Sequence, residues 1–214
     1  RLSVLVLYCL SLYSAFYAFA IRSTHTTSHC MTAQEFTALL LLGTAMSFSP
    51  GPNTTLSTAL AANYGLRHAL RFVCAVPLGW GVLLTVCAAG VGGLIVAVPA
   101  LRLLVKLVGV AYLLWLAYKL ARSGSLAQAD ASRLNVTFWQ GVALQFVNIK
   151  AWMFALAVVA GWVAGRGDEL ARFALVLPTM MAFALVSNLA YATVGALLRD
   201  WLARGARLLW FNRA

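Results

Sequence analysis

Two long apolar stretches of this chain are each interrupted by residues that a continuous buried helix does not tolerate, Ser49-Pro50-Gly51-Pro52-Asn53 and Asn148-Ile149-Lys150. Hydrocarbon supplies no water to freed backbone groups, so a broken helix at membrane depth survives only where protein or a cavity surrounds it. A matched pair of breaks, one in each half of a helical membrane protein, points to a binding site between the halves of a small-solute transporter.

That argument requires a membrane, and the composition supplies one. Hydrophobic residues make up 63% of the chain and charged residues 10%, with a mean hydropathy of +0.87. Soluble domains average about 45–50% apolar and about 25% charged. At about 20 apolar residues per spanning helix, the 214 residues hold about five to seven spans and no soluble domain of useful size. The formal net charge of +11 does not point to nucleic acid, because the cations sit at segment ends rather than in a basic block. Cys9, Cys30, Cys74 and Cys87 have neither CxxC nor metal-ligand spacing, so no metal and no cofactor is indicated. Cys74 and Cys87, 13 residues apart on one helix, lie roughly 20 Å from each other and cannot form a redox pair.

Residues 1–30 form a hydrophobic leader. Residues 2–21 are apolar and long enough to cross a bilayer or act as a signal segment, and a polar stretch runs from Arg22 to Cys30. They read either as an extra N-terminal helix or as upstream codons. The second reading is preferred, because Met31-Thr32-Ala33-Gln34-Glu35 looks like a natural beginning.

Residues 31–214 form the transmembrane domain. Its apolar segments run over about 36–62, 70–98, 101–120, 138–164 and 173–198, and the longest loop is 121–135. If the corner at Arg67 and Arg71 is cytoplasmic, so are the 121–135 loop and the tail. That side then collects Arg67, Arg71, Lys119, Arg122, Arg133, Arg199, Arg204, Arg207 and Arg213, against Arg102, Lys106, Arg166 and Arg172 opposite. The first segment therefore starts outside and ends in the cytoplasm.

An offset of 101 residues aligns Arg71-Phe72 with Arg172-Phe173, Pro77 with Pro178 and Lys106 with Arg207. It also lays Ser47-Phe48-Ser49 over Asn148-Ile149-Lys150, so the two breaks coincide within a few residues. Three spans per unit is an odd number, which places the second copy upside down in the membrane. The expected fold is an all-α polytopic membrane helix bundle, a 3+3 inverted repeat with units at about 31–120 and 136–214. The second unit stops short, and residues 203–211 read as the lead-in to a truncated sixth span.

Within the first break, Pro50 and Pro52 lack backbone donors and clash with the preceding turn, while Gly51 eases departure from helix geometry. Two half-helices should result, and the start of the second, near Asn53 and Thr54, offers a positive dipole end suited to a carboxylate. A simple kink is the plainer alternative. Lys150, deep in the fourth segment, costs at least about 2.5 kcal/mol unless paired or hydrated. It is either a counter-charge or proton carrier for the transported solute, or a partner for carbonyls freed at the break. Asn148 is a nearby hydrogen-bonding group, and Gln145 serves equally well as ligand contact or as glue between helices.

Other residues read as structural. Gly79, Gly81, Gly90, Gly92 and Gly93 suggest close helix packing, and such small-residue faces permit a homodimer. Trp115, Trp139, Trp162 and Trp201 read as interface anchors, and His68 as a solvated corner residue. Glu35, Asp130, Asp168, Glu169 and Asp200 all fall at or beyond span ends, so no intramembrane carboxylate is available for proton coupling.

These motifs together resemble the amino-acid exporter family of the lysine-exporter (LysE) and homoserine/threonine-exporter type. Ser49-Pro50-Gly51-Pro52-Asn53-Thr54 with Gly65-Leu66-Arg67-His68-Ala69-Leu70 resembles its first motif. Lys106-Leu107-Val108-Gly109-Val110-Ala111-Tyr112-Leu113 resembles its third-span signature, and Gly141 through Asn148-Ile149-Lys150-Ala151 its fourth-span Asn-Pro-Lys motif. Ile149 stands where that motif has proline, which predicts a softer second break. The resemblance implies a six-span bacterial inner-membrane protein, not an enzyme, that exports amino acids or their derivatives on the proton gradient or membrane potential. The substrate site is expected at Ser49, Pro50, Gly51, Pro52, Asn53, Thr54, Asn148 and Lys150. A non-transporting subunit or truncated relic is the alternative.

Overall fold

The computed structural model describes residues 31–90 and 136–202, with isolated positions between 98 and 118. The leader, residues 91–97, most of the third apolar segment including Lys106, the long loop and residues 203–214 lie outside the described residues. Six helices are described: α1 (Ala33–Phe48), α2 (Pro52–Tyr64), α3 (Leu66–Ala88), α4 (Phe138–Val147), α5 (Ile149–Trp162) and α6 (Glu169–Leu202).

Their order repeats. A broken pair is followed by a long helix with an internal proline, first α1–α2 with α3 and Pro77, then α4–α5 with α6 and Pro178. Both broken pairs also begin alike. Thr32 caps α1, its hydroxyl accepting from the Glu35 N–H at 3.1 Å while its own N–H donates to Glu35 Oε2 at 3.0 Å. Thr137 caps α4 in the same reciprocal way with Gln140, at 3.2 and 2.9 Å. Each box satisfies two of the amides that a helix start leaves unpaired.

By length and composition α3 and α6 each suffice to cross a membrane, and α4–α5, bent by 69°, would make a third span if taken as one. Neither α1 nor α2 reaches spanning length alone, so the first segment is a broken helix, as expected from its prolines. The α2–α3 corner narrows to one residue, Gly65, whose φ of 86° is a left-handed conformation that glycine adopts without strain. Within the second segment α3 ends at Ala88, and Gly90 sits beyond it in a turn at φ 90° with no described atom within 4 Å of an added Cβ, while Gly92 and Gly93 lie outside the described residues.

Small residues set the helix spacing elsewhere. A Cβ on Gly79 would lie 2.7 Å from the Val142 carbonyl oxygen on α4, and one on Gly141 would lie 2.8 Å from Ala75 Cβ on α3. Gly195 on α6 presses against the Thr58 carbonyl of α2, with Ala192 buried beside it. Two apolar clusters fill the bundle. One is built on Trp80, Leu83, Leu84, Ala155, Val158, Val176 and Met180, the other on Leu56, Leu60, Phe72, Val73, Val76 and Leu144. Leu170, Val186, Val194 and Leu197 leave an apolar outer face on α6, which suits lipid.

Candidate functional site

Between the two clusters lies a cavity of about 60 Å³, well above the roughly 10–15 Å³ that a single water needs. Both breaks reach its wall. Gly51, Pro52, Asn53 and Thr54 contribute from the first and Asn148 and Lys150 from the second, so six of the eight expected site residues line it. The other two are placed differently: Ser49 meets Lys150, and Pro50 is exposed.

At the first break α1 stops at Phe48, and Ser49 turns extended at ψ 135°. Gly51 caps α2, its N–H donating to Thr54 Oγ1 at 2.9 Å while its carbonyl accepts from the Thr55 N–H at 2.9 Å. Pro52 occupies the first helical position, where its missing N–H costs nothing. The N–H groups of Asn53 and Thr54 have no acceptor among the described residues and sit at the positive end of α2 on the cavity wall.

The conformational role expected of Gly51 is corrected. Its φ of −171° and ψ of −179° are extended backbone that any residue adopts. What excludes a side chain there is Lys150: an added Cβ would lie 3.1 Å from Lys150 Cδ and 3.2 Å from Nζ.

Lys150 joins the two breaks. Its ammonium donates to the Ser49 carbonyl at 2.8 Å and to Ser49 Oγ at 2.7 Å, and that hydroxyl donates to the Met46 carbonyl at 3.0 Å. These are short charge-assisted bonds. Lys150 therefore does pair with a carbonyl freed at the break, and it also stands on the cavity wall with a third N–H unused by any described residue. Among the described residues no carboxylate lines the cavity, so its net charge is positive.

Asn148 is the cap of α5, its Oδ1 accepting from the Lys150 N–H at 3.1 Å. It is nearly buried, and its amide nitrogen has no acceptor among the described residues. The expected softening at Ile149 is not what the structure shows, because the bend there is 69°. A first-position N–H is unpaired in any helix, so Ile149 fills the place of a proline without altering the break, and Asn148 does the capping.

Asn53 and Gln145 exchange hydrogen bonds across the α2–α4 contact, at 2.8 Å toward Gln145 Oε1 and 3.2 Å toward Asn53 Oδ1. Gln145, fully buried and also donating to the Gly141 carbonyl, is helix glue. Sequence reasoning missed the α6 wall, where Ser187 and Asn188 face the cavity at 1% and 3% exposure. Asn188 Oδ1 accepts from Ser57 Oγ at 2.9 Å, and its Nδ2 donates to the Ala184 carbonyl at 2.8 Å. Trp80 and Phe154, ring centroids 5.3 Å apart, close another side with Met46 and Met180.

A second polar cluster, also missed, ties the start of α1 to the α5–α6 corner. Glu35 accepts from Arg166 at 3.2 Å and from Arg172 at 3.3 Å, and Arg172 Nε donates to Asp168 at 2.8 Å. Trp162 Nε1 donates to the Glu35 carbonyl at 2.8 Å, which gives this expected interface anchor a structural partner. The Thr32 N–H, followed by the Arg172 guanidinium, holds the Glu35 carboxyl below its ordinary range. Cys74 and Cys87 are both buried in the core.

The family model described as LysE type translocator matches residues 44–214, which include both breaks and every cavity-lining residue. The chain belongs to this family. A cysteine/O-acetylserine efflux protein of Klebsiella pneumoniae is 30% identical over 185 residues, covering 86% of this chain and 94% of that protein. One of Salmonella choleraesuis is 33% identical over 140 residues (65% of this chain, 71% of that protein), and one of Escherichia coli O1:K1 is 28% identical over 163 residues, covering 76% and 83%. No solved structure matches the chain. As a member of a translocator family with apolar spanning helices, the protein is a membrane transporter of the amino-acid exporter class.

Proposed function

We propose that this protein is a secondary active exporter that moves a small amino acid, of the size and neutrality of cysteine or O-acetylserine, from the bacterial cytoplasm across the inner membrane. The two halves act as inverted repeats that expose the cavity to either face in turn, driven by the proton gradient or the membrane potential. The observation that carries this reading is Lys150. Its ammonium spans the two breaks and faces a cavity that holds no carboxylate among the described residues. A cation so placed is favourable mainly when an anion joins it. The α-carboxylate of an amino acid supplies that anion, and the Asn53 and Thr54 amides and the Asn148 side chain supply further donors. Ser49 fixes the ammonium, Gly51 makes room for it, and Pro50 and Pro52 keep the break open.

The test is efflux of labelled cysteine and O-acetylserine from cells or proteoliposomes. Lys150→Ala and Asn53→Ala should abolish or strongly reduce export at unchanged amounts of protein in the membrane. Export at the wild-type rate by both variants refutes the site, and no efflux of any neutral amino acid by the wild type refutes the function.

A further inference from the structure

We infer that Ser187 and Asn188 of α6 form the subsite for the substrate's α-ammonium group, and that this neutral subsite restricts export to substrates without a second positive charge. The inference rests on the exporter reading above and deepens it. The unused donors at the breaks and the unused acceptors of Ser187 and Asn188 lie on different elements of the cavity wall. Donors gather at the breaks: the third N–H of Lys150, the Asn148 amide and the unpaired N–H groups at the start of α2. The α6 wall offers acceptors instead. Asn188 Oδ1 takes one hydrogen bond from Ser57 and keeps a second lone pair, and its orientation is fixed because Nδ2 is held by the Ala184 carbonyl. The Ser187 hydroxyl, with only a long 3.4 Å bond to the Ala184 carbonyl, keeps its lone pairs as well. Such an arrangement complements a zwitterion, whose carboxylate needs donors and whose ammonium needs acceptors.

Charge then sets the selectivity. With Lys150 as the cation of the site, a zwitterion leaves the occupied cavity at +1, whereas lysine or arginine would bring it to +2 with no described carboxylate on the wall. Two like charges a few ångströms apart in a cavity poor in water repel strongly. Neutral oxygen acceptors hold an ammonium but do not cancel a second one.

The first experiment uses the wild-type protein in proteoliposomes, with unlabelled compounds competing against labelled cysteine. Serine and O-acetylserine should compete. Lysine, and 3-mercaptopropionate, which lacks the amine, should each be weaker by about tenfold or more, the equivalent of one lost or opposed charge-assisted bond. The second converts the subsite, with Asn188→Asp and, separately, Ser187→Asp, each checked for monodisperse protein in detergent. A carboxylate beside Lys150 should raise the lysine-to-cysteine export ratio by about tenfold or more. Equal competition by 3-mercaptopropionate and cysteine in the wild type overturns the inference whether or not the variants fold. So does an unchanged ratio in a folded variant. Either failure leaves the exporter reading standing, whereas wild-type vesicles that move no amino acid refute that reading itself.

Discussion

Gly51→Ala tests whether the first break is shaped around Lys150 or by backbone geometry. Alanine adopts the extended φ and ψ of this position without strain, so a conformational role predicts almost no effect. The steric reading predicts otherwise. The new Cβ would stand 3.1 Å from Lys150 Cδ, and since carbon contacts are optimal at about 3.5–4.0 Å the side chain must retreat by about 0.4 Å or more. Its bonds to Ser49, now 2.7 and 2.8 Å, then stretch toward about 3.2 Å, the long end of N–H···O geometry. A hydrogen bond to a charged group contributes about 1.5–3 kcal/mol, so weakening two of them costs on the order of 1 kcal/mol, or about a fivefold rise in KM. The assay is efflux from proteoliposomes at several substrate concentrations for Gly51→Ala, with its thermal unfolding in detergent measured both in the wild type and in a Lys150→Met background, which needs no transport to be read. The effect of Gly51→Ala should shrink there, because the methionine carries no ammonium to displace. A wild-type KM in Gly51→Ala, or an equal loss of thermal stability in both backgrounds, refutes the steric account.

Other perturbations separate packing from chemistry. Gly195→Ala puts a methyl group into the Thr58 backbone carbonyl, which cannot swing aside, so overpacking should cost about 1–3 kcal/mol and lower the melting temperature in detergent. Gly161→Ala, with nothing within 4 Å of its Cβ and a helical backbone, should be neutral or stabilising by up to about 1 kcal/mol. Gln145→Leu leaves Asn53 without its reciprocal partner, and a double-mutant cycle with Asn53→Ala should show coupling of about 0.5–3 kcal/mol in thermal stability. The Glu35 carboxyl is held below its unfolded value of 4.5, so its stabilisation is present at neutral pH and lost as pH falls through the lowered folded value. Melting curves of wild type and Glu35→Gln should therefore differ at neutral pH and converge in acid.

The helices were legible in the sequence where local chemistry decides them. Pro50, Gly51 and Pro52 announced the first break, and the ends of the fourth and fifth segments fell within a few residues of the helices observed. Two further local signals went unused: Thr32 with Glu35 and Thr137 with Gln140 are three apart, the spacing of a capping box, and both mark helix starts. Within the second segment the helix ends at Ala88 and Gly90 turns at φ 90°, a local break that hydropathy alone does not show. The first segment, expected to end at about residue 62, runs on in helix to Tyr64, with Asn63 donating to the Ala59 carbonyl inside the bundle. Glu35, Asp168 and Glu169 do lie at helix ends, but that Glu35 meets Arg166 and Arg172 more than 130 residues away is a tertiary fact with no local trace.

The two breaks illustrate the same divide at the site itself. Sequence identified Lys150 as costly and Ser49 as part of a break, and the repeat offset of 101 residues already paired those positions. Their hydrogen bonds, spanning that same separation, join residues that the offset makes equivalent. If the two units are related by the proposed two-fold, equivalent residues touch only when both lie close to its axis, and this contact would place that axis at the cavity wall. Because the second unit has lysine where the first has serine, the pair is asymmetric: one member brings the charge and the other the carbonyl and hydroxyl that hold it. Exchanging them, with Ser49→Lys and Lys150→Ser in one protein, would keep a cation beside the axis but aim it from the opposite half. If the ammonium's position near the axis is what matters, the exchanged protein should recover at least part of the export that Lys150→Ser alone loses. If it recovers none while remaining folded, the charge must come from α5 itself, and near-symmetry of the two halves does not extend to the site.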